Sequence, residues 1–402
     1  MKRRIFLQGL GAGSALCLGN AWGLSDGKAQ TAAVRPLVPV LDIHNETAVV
    51  KVIGIGGGGR GAINHMVESA IEGVDFICAD TDTQALNEAR AKTLLQFGLV
   101  TTKGLGACGN PDVGNQAALE DRESVAAALA GADMIMIIVG MGGGTGTGAA
   151  PVVAEVAKEL GILTVAMVTM PCPFEGSRRR RIAKDGIAEL IKHVDSLITI
   201  PNNKRFADHD SDLALRGAFN AVNHILWNAT RSIAELITCP TLIAVDFADV
   251  TTVLSGMGVA MVGTGSAVGP ERAHEAAAAA IHCPLLEHID LAMAKGMLVT
   301  IIAGYSLTMT EFDEVGNTVR DCSDDDAQVV IGVRMDVAME DELRVTIVAT
   351  GLADRFISAV GFDEIARRKE IICRWKLGEL SMTDNSLYDY QDIPAFLLRP
   401  TS

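Results

Sequence analysis

A glycine-rich loop at residues 140–148, with the sequence GMGGGTGTG, holds the residues of this chain best suited to bind an anion. It lies between an apolar run at 134–139 and a helical pattern that we predict over 149–160. Consecutive backbone N–H groups without side chains can surround a phosphate, and the positive end of a helix adds to the attraction. Thr145 and Thr147 supply two hydroxyl groups for phosphate oxygens. The loop therefore predicts a phosphate site, because a tight strand-to-helix turn needs only one or two glycines.

A second glycine run, VIGIGGGG at 52–59, ends the first apolar run and also precedes a helical pattern. Glycines in this place let the backbone approach a phosphate at a helix N-terminus. The run also fits the G-x-G-x-x-G motif of dinucleotide-binding folds, with Asp80 near the position of the ribose-binding acid. The Walker motif G-x-x-x-x-G-K-[ST] is absent from the sequence. These loops alone leave a nucleoside phosphate and a dinucleotide as alternatives.

Short, almost continuously apolar runs surround the two loops and alternate with helical patterns. The runs lie at 50–55, 74–79, 134–139, 163–169 and 196–200. Strands have this composition when helices cover both faces of a parallel sheet. We therefore expect a doubly wound, mostly parallel α/β domain over 49–212. In the helix at 149–160 we expect Pro151 near the first turn, and a single face formed by Val152, Val153, Val156 and Leu160.

A long helical pattern at 213–238 follows, and its length suits a central helix that joins two domains. Residues 239–351 hold helical patterns and three later strands, in a different order from the first half. The strands are predicted at 297–303, 328–333 and 343–350. We expect a second, smaller α+β domain in this region.

Composition limits the partners of the protein. The chain has 34 basic and 49 acidic residues and a formal net charge of −15. Nucleic acids are bound through clustered Lys and Arg, and the best cluster here is the short run at 178–181, so nucleic acid is excluded as the main partner. The eight cysteines are scattered without C-x-x-C spacing, which disfavours a zinc site and a disulfide framework. We predict no metal site made of protein side chains.

The two ends of the chain differ from its body. The sequence KRRIFLQG and the small apolar residues that follow it resemble a twin-arginine export leader, and we assign 1–48 as an N-terminal extension. Residues 352–387 are charged and irregular and predict a linker. Residues 388–402 concentrate aromatic and apolar side chains, which is typical of a docking peptide. No run of 18 apolar residues, the length that a membrane span needs, occurs in the sequence.

The sequence resembles the tubulin/FtsZ family over residues 49–351. GGGTGTG at 142–148 matches the signature loop of that family, and the similarity continues through VDFADV at 245–250 and DELRVTIVATG at 341–351. DIPAFL at 392–397 resembles the tail peptide of the family. Motifs in this number and order displace the dinucleotide alternative, which explains only the first loop.

The resemblance implies a GTPase that uses GTP and Mg²⁺ and polymerises head to tail into the filaments of the bacterial division ring. The residues that match the GTP-binding positions of the family are Gly56, Gly57, Gly58, Gly59, Gly106, Ala107, Asn110, Gly142, Gly143, Gly144, Thr145, Gly146, Thr147, Gly148, Glu175, Arg179, Phe219 and Asn223. Among them, Glu175 and Arg179 match ribose and phosphate contacts. Phe219 and Asn223 match the ring that stacks on guanine and the residue that reads the base.

The resemblance also implies that hydrolysis is completed between subunits. Asp246 and Asp249 match the acids that one subunit contributes to the pocket of the next, where a carboxylate can orient the attacking water. Read without the family, Asp249 is a candidate N-cap for a helix over 250–259. The segment from Tyr390 to Arg399 is expected to bind membrane-tethering division proteins.

Four places near the expected pocket depart from the family pattern: Arg60-Gly61, Asp80, Cys108 and Ala244. Gly61 and Ala244 lack a side-chain amide, and Asp80 adds a negative charge close to the phosphates or ribose. We therefore hypothesise altered GTP affinity and slowed turnover, which Ala244→Asn would test by its effect on turnover.

Two functions and two locations follow as alternatives. The first function is the filament-forming division GTPase, and its alternative is a hydrolysis-impaired paralogue that co-assembles with a standard member of the family. A division GTPase needs cytoplasmic GTP, whereas the leader-like N-terminus suggests export. We give more weight to the body of the chain and expect a cytoplasmic protein at the inner face of the membrane.

Overall fold

The computed structural model describes residues 48–69, 71, 73–200, 215–239, 241–243, 245–283, 285–286, 291–324 and 326–352. The leader-like extension, the C-terminal linker, the docking peptide and Ala244 lie outside the described residues. The side chain of Phe219 does too. The predictions made for them stay predictions.

Ten strands of the described residues form one sheet. They are β1 (Val50–Ile55), β2 (Val74–Asp80), β3 (Thr93–Gln96), β4 (Met134–Gly140), β5 (Leu163–Thr169), β6 (Ser196–Ile200), β7 (Gly258–Val268), β8 (Gly296–Ala303), β9 (Gln328–Met335) and β10 (Glu342–Leu352). Their order is β3-β2-β1-β4-β5-β6-β7-β10-β8-β9. The neighbouring pairs are parallel except where β10 pairs with β7 and β8. The mostly parallel sheet expected from the sequence is confirmed.

The helices are α1 (Gly56–Glu68), α2 (Thr83–Asn87), α3 (Leu99–Thr102), α4 (Pro111–Glu120), α5 (Arg122–Leu129), α6 (Thr145–Glu159), α7 (Ser177–Leu190), α8 (Leu215–Thr238), α9 (Phe247–Leu254), α10 (Arg272–Ile281) and α11 (Met309–Arg320). Short 3₁₀ turns lie at Pro173–Glu175, Leu291–Met293 and Val337–Met339. The predicted central helix is α8, which contacts α1 and also β7, β8 and β9. Within the described ranges, no helix is both long and apolar enough to cross a membrane.

Helices cover both faces of the parallel part of the sheet, which is why its strands are apolar throughout. Val52 of β1 belongs to a core layer that also contains Ile63 of α1 and Leu226 of α8. The next residue, Ile53, belongs to the opposite layer with residues of α4 to α7. Alternate residues of one strand therefore enter different cores, and each fully buried aliphatic side chain contributes about 1.5–3 kcal/mol.

The sheet does not stop between the two halves of the chain. β6 and β7 pair in parallel through Ser196↔Gly258, Leu197↔Val259 and Ile198↔Ala260. The helices α9, α10 and α11 and the strands β7 to β10 form the C-terminal half. There α10 and α11 pack on the strands in a core of their own, whereas Val250, Val253 and Leu254 of α9 belong to the core layer of α1 and α8.

Two helix predictions are wrong in their limits. The helix expected over 149–160 begins at Thr145, so Pro151 lies inside it, and Leu160 is its exposed C-cap residue and no part of a buried face. The helix expected over 250–259 is α9, which ends at Leu254 and is capped by Asp246, not by Asp249. Gly256 follows the C-cap residue Ser255 and has a φ of +66°, a left-handed conformation that ends the helix, and Gly258, with a φ of +71°, begins β7.

Candidate functional site

Two glycine loops meet at the carboxyl edge of the parallel strands. The first follows β1 and the second follows β4, its neighbour in the sheet. A Cβ atom on Gly56 would lie 3.0 Å from the backbone nitrogen of Gly146, and one on Gly58 would lie 3.0 Å from Cα of Gly140. The two loops therefore touch backbone to backbone, as expected for loops that follow neighbouring parallel strands.

A cavity of about 350 Å³ opens where the loops meet. It has the size of a small-molecule site, which is typically about 300–1,000 Å³. Of the expected GTP-binding residues, those that line it are Gly56, Gly57, Gly58, Gly143, Gly144, Thr145, Gly146, Glu175, Arg179 and Asn223. The N-termini of α1 and α6 open at this cavity, and both favour an anion there.

A larger cavity of about 760 Å³ lies elsewhere, between α8 and the C-terminal strands. Its lining includes Trp227, Arg231 and Arg344 but none of the residues that the sequence assigned to nucleotide or catalysis. Size alone therefore does not identify the candidate site, and the smaller cavity holds the expected chemistry.

Two different structural requirements explain the glycines of the second loop. Gly143 lines the cavity and has no neighbouring atom within 4 Å of a Cβ position, which leaves its surroundings open to a ligand. A Cβ on Gly144 would lie 2.8 Å from the backbone nitrogen of Asn110, and one on Gly148 would lie 2.0 Å from the carbonyl oxygen of Pro111. These two glycines let α4 approach α6. The number of glycines thus reflects helix packing at Gly144 and Gly148 as well as the open space around Gly143.

The two threonines of the loop also differ. Thr145 lines the cavity, and its Oγ1 lies 2.6 Å from Oγ1 of Thr81. Thr147 is buried, and its hydroxyl oxygen accepts a hydrogen bond from the N–H of Gly142 at 2.9 Å. Thr147 therefore stabilises the loop from within, and it is not among the residues that line the cavity.

The third loop, with Gly106, Ala107 and Asn110, lies behind the second and does not line the cavity. Ala107 and Asn110 are the residues that a Cβ on Gly144 would meet. Asn110 caps α4 by accepting the N–H of Asp112 at 3.1 Å. Cys108 in this loop is exposed and has a φ of +49°. Gly59, Gly142 and Gly148 likewise support the loops from outside the cavity lining.

On the other side of the cavity, Glu175 and Arg179 form an ion pair. Arg179 Nη1 donates to Glu175 Oε2 at 2.6 Å, and Glu175 Oε1 accepts the N–H of Cys172 at 2.8 Å. Burial, and then the Glu175 charge, raise the pKa of the Cys172 thiol to about 11. Cys172 is therefore neutral at physiological pH and adds no charge to this wall.

Asn223 lines the cavity from α8, together with Val222 and Leu226. It lies one helical turn after Phe219, so the two residues share a face of α8.

The proposed catalytic acids lie away from the cavity of their own chain. Asp246 and Asp249 form a reciprocal capping box at the start of α9, in which the Asp246 N–H donates to Asp249 Oδ2 at 3.3 Å. Both aspartates are exposed, and neither lines the cavity. They are therefore free to meet another molecule.

The structure describes the residues that depart from the family pattern, with the exception of Ala244. Asp80 is 5% exposed, and burial raises the pKa of its carboxyl above 3.8. Arg60 donates to the Ala85 carbonyl and pairs with Glu88 at 2.6 Å. A Cβ on Gly61 would have no neighbour within 4 Å. Arg60 thus fixes α1 against α2.

Sequence reasoning missed several residues of the site. Met141, Thr169, Met170 and Pro171 line the cavity, and Thr81 contacts Thr145. The position of Thr81 and Thr169 was a usable signal, because both stand at the carboxyl end of a strand next to β1 or β4, where ligands bind in parallel sheets.

Comparison with protein families and known proteins gives a consistent result. The sequence model "Tubulin/FtsZ family, GTPase domain" matches residues 49–208, and "FtsZ family, C-terminal domain" matches residues 258–353. The cell division protein FtsZ of Pseudomonas aeruginosa is 56% identical over 316 residues, which is 79% of this chain and 80% of that protein. The FtsZ of Buchnera aphidicola subsp. Schizaphis graminum is 50% identical over 372 residues, 88% of this chain and 97% of that protein.

Solved structures of related proteins also match the fold of this chain. An empty FtsZ dimer from M. jannaschii matches with a TM-score of 0.73 at 40% identity, covering 77% of this chain and 89% of that one. CetZ2 from Haloferax volcanii, solved as a GTPγS-bound protofilament, matches with a TM-score of 0.66 over 80% of this chain and 99% of that one. At 20% identity the second comparison bears on the fold alone.

Proposed function

Because the chain belongs to the tubulin/FtsZ family of GTPases that act in cell division, we propose that it binds GTP at the strand edge, polymerises head to tail and hydrolyses the GTP between subunits. The observation that carries this proposal is the cavity formed by the two glycine loops, which opens at the N-termini of α1 and α6. The hydrolysis-impaired paralogue has no specific observation in its favour.

The residues that line the cavity suit the phosphates, the ribose and the base of a guanine nucleotide. Gly57 and Gly143 leave room around backbone N–H groups for phosphate oxygens, and Thr145 adds a hydroxyl. Arg179 supplies a positive charge and Glu175 an acceptor for ribose hydroxyls. Asn223, with a side-chain donor and acceptor on α8, is placed to read the base, and Phe219 lies on the same face. The role of each residue is part of the proposal.

We expect Mg²⁺ to bind together with the nucleotide, through its phosphates. Within the described ranges, no three His, Cys, Asp or Glu side chains converge in a way that would hold a metal ion. Magnesium commonly keeps several waters and binds substrate phosphates, so a dedicated protein cage is not required. The ion would offset phosphate charge, while Thr145 and the loop N–H groups hold the oxygens.

The positions of the acids support completion of the active site by a second subunit. The cavity contains Glu175 as its carboxylate, and that group is paired with Arg179. Asp246 and Asp249 are exposed at the start of α9, so they can reach the cavity of another copy. One of them then orients the attacking water. We place this filament at the cytoplasmic face of the membrane, with the segment from Tyr390 to Arg399 binding tethering proteins.

GTP-dependent sedimentation of the full chain, with phosphate release measured in the same samples, tests the proposal. We expect polymer and phosphate release with GTP, polymer with greatly reduced release for Asp249→Asn, and wild-type behaviour for Asp324→Asn. Asp324 is a matched control because it is an exposed aspartate that also accepts a local backbone N–H. No polymer and no GTP binding by the wild-type chain would refute the proposal.

A mixing experiment tests hydrolysis between subunits. Gly143→Asp places a carboxylate in the open part of the cradle and should prevent phosphate binding without a clash. Mixed with Asp249→Asn, which has an intact cavity, it should restore phosphate release that neither variant gives alone. A mixture that stays inactive would contradict completion of the site across the contact.

A further inference from the structure

Asp80, whose carboxyl group is buried, directly precedes Thr81, and Thr81 contacts the cavity-lining residue Thr145. Asp80 ends β2, and its Oδ1 accepts the N–H of Thr81 at 2.7 Å and that of Asp82 at 3.3 Å. It caps no helix, because α2 is capped by Asp82. A buried carboxyl is costly in its charged form, so its presence calls for an explanation beyond local structure.

Thr81 connects this carboxyl to the cavity. It is fully buried, and its hydroxyl lies 2.6 Å from the hydroxyl of Thr145, which lines the cavity. Its carbonyl oxygen also accepts the Thr102 hydroxyl and the Gly106 N–H, both at 3.3 Å. Thr81 therefore holds both the first residue of α6 and the third loop.

The direction of the Thr81–Thr145 hydrogen bond decides what Thr145 offers to a ligand. Either hydroxyl can donate. If Thr145 donates to Thr81, its lone pairs face the cavity and repel an anion. If Thr81 donates, the Thr145 proton is free to be donated to a phosphate oxygen. An anion in the cavity thus selects donation by Thr81.

We propose that Asp80 and Thr81 are positioning residues for polyphosphate: Thr81 turns the Thr145 hydroxyl toward the ligand, and ionisation of Asp80 weakens binding. This inference rests on the proposed function, because it concerns the same cavity. Neutral Asp80 keeps its hydrogen bond from Thr81 and adds no charge. Ionised Asp80 keeps that bond but adds a buried negative charge at the far end of the chain of hydrogen bonds that runs through Thr81 and Thr145 to the phosphate.

The groups around Asp80 set the sign of the pH effect. Burial raises the pKa of its carboxyl and Asp82 raises it further, while the two N–H groups and Arg60 on α1 lower it. Arg60 is itself paired with Glu88. Burial also raises the pKa of the Cys78 thiol, on the same strand, to about 11, so Cys78 is neutral over the physiological range. Opposite Asp80 on β3 stands Gln96, which does not titrate. Asp80 accordingly loses its proton at a higher pH than an exposed aspartate, and polyphosphate affinity falls as it does so.

The test is the affinity of the full chain for GDP with Mg²⁺, measured by calorimetry from about pH 8 down to the lowest pH at which the chain stays folded. At the upper limit we expect Asp80→Asn to bind about tenfold more tightly than wild type, because the wild-type carboxylate adds a buried negative charge near the phosphates. The difference should shrink toward the acid limit. Phosphate titration affects both proteins equally, so their difference isolates Asp80.

The hydroxyl of Thr81 is tested separately. Thr81→Val keeps the shape and should weaken GDP binding about tenfold at every pH, since one hydrogen bond is lost. Thr81→Ser restores the hydroxyl and should bind within about twofold of wild type. Parallel pH curves for wild type and Asp80→Asn, or wild-type affinity in Thr81→Val, would overturn the inference while leaving GTP binding intact. Loss of GDP binding by all four proteins, wild type included, would instead refute the proposed function and this inference with it.

Discussion

The phosphate edge, by which we mean the sheet edge where the two glycine loops meet, and the C-terminal half of the molecule depend on charge to different extents. At the edge, backbone packs on backbone, and Gly144 and Gly148 leave no room for a Cβ atom. In the C-terminal half, buried ions join the elements, as with Arg272 and Glu311. The comparison teaches that an added Cβ atom is harmful in both regions wherever two backbones touch, at Gly144 and Gly148 as at Gly263 and Gly265, whereas the C-terminal half is also vulnerable to the removal of an ion.

Arg272 shows how a buried ion is made stable. Its Nε and Nη2 donate to the two Glu311 oxygens at 2.6 and 3.1 Å, and Nη1 donates to the Asp341 carbonyl at 2.8 Å. Ser306 accepts further hydrogen bonds. The side chain thus joins α10 to the start of α11 and to the turn before β10.

A second network surrounds Glu235 of α8. This carboxylate is buried and pairs with Arg231 on its own helix, at 2.7 Å, and with Arg334 on β9. Arg231 also reaches Asp336 at 3.4 Å. The central helix is therefore joined to the C-terminal strands by charge.

The largest expected effect comes from breaking a buried pair. Arg272→Ala should lower the free energy of unfolding by about 3–5 kcal/mol, because the partly buried Glu311 would keep its charge with only the hydrogen bonds from Thr308 to offset it. Arg90→Ala, which breaks an exposed pair with Glu68, is the control and should cost about 0–1 kcal/mol. Chemical denaturation measures both. Equal losses would remove the contrast between buried and surface charges.

The pH dependence of folding stability tests the same ion pair, Arg272 with Glu311. The Arg272 guanidinium holds the pKa of Glu311 at about 2, below its ordinary 4.5. A carboxyl with a lowered pKa stabilises the fold above pH 4.5, and this contribution of about 3 kcal/mol is lost as pH falls from 4.5 toward 2. Glu311→Gln cannot titrate, so the stability difference between wild type and this variant should close over that range. A constant difference would contradict the assignment.

At the phosphate edge, one added methyl group is the informative change. Gly148→Ala would place Cβ 2.0 Å from the Pro111 carbonyl oxygen and should cost about 1–3 kcal/mol by forcing α4 from α6. Gly143→Ala, whose Cβ meets nothing within 4 Å, should leave stability nearly unchanged but weaken GTP binding. Thermal unfolding and nucleotide affinity, measured on both variants, separate packing from binding. Reversed results would break the division of the loop into two kinds of glycine.

The smallest effect is expected at α9, where a polar cap is exposed. Asp246→Ala should cost about 1 kcal/mol, while Asp246→Asn, which still accepts the N–H group, should cost less. Phosphate release should fall in both. If stability and turnover fell together in Asp246→Ala and both recovered in Asp246→Asn, the carboxylate would have only a capping role.

The sequence predicts the strands around the site well, because β1, β2, β4, β5 and β6 are buried on both faces and consist of apolar runs. It does not predict β3, which is short and half exposed at Leu94, or β7, which contains glycines at 263 and 265. A Cβ at Gly263 or Gly265 would lie 2.2 or 2.4 Å from a carbonyl oxygen of α10. Such glycines signal close helix packing, yet in sequence they look like breaks in a strand.

The sequence predicts where the loops of the site lie, but it does not predict which residue of a loop lines the cavity and which one packs inside the protein. The glycine runs indicated the phosphate edge, because two of them follow neighbouring parallel strands. Nothing in the sequence distinguishes Gly143, which faces the cavity, from Gly148, which faces α4. Likewise Thr145 and Thr147 are equivalent in sequence, and only the turn of α6 sends one toward the cavity and the other into the loop. Such tasks depend on contacts between distant segments.

The central place of β1 in the sheet has a consequence during synthesis of the chain. Val49 and its hydrogen-bond partner Asp133 are 84 residues apart. At a translation rate of about 5–20 residues per second, roughly 4–17 s pass between the emergence of β1 and that of β4. One edge of an apolar strand, and the first glycine loop after it, stay without a neighbour for that time. The cavity therefore cannot begin to form before β4 has emerged, and it is complete only after α8, which carries Asn223, has followed. Until β4 pairs with β1, the growing chain exposes a strand edge that can pair with other chains.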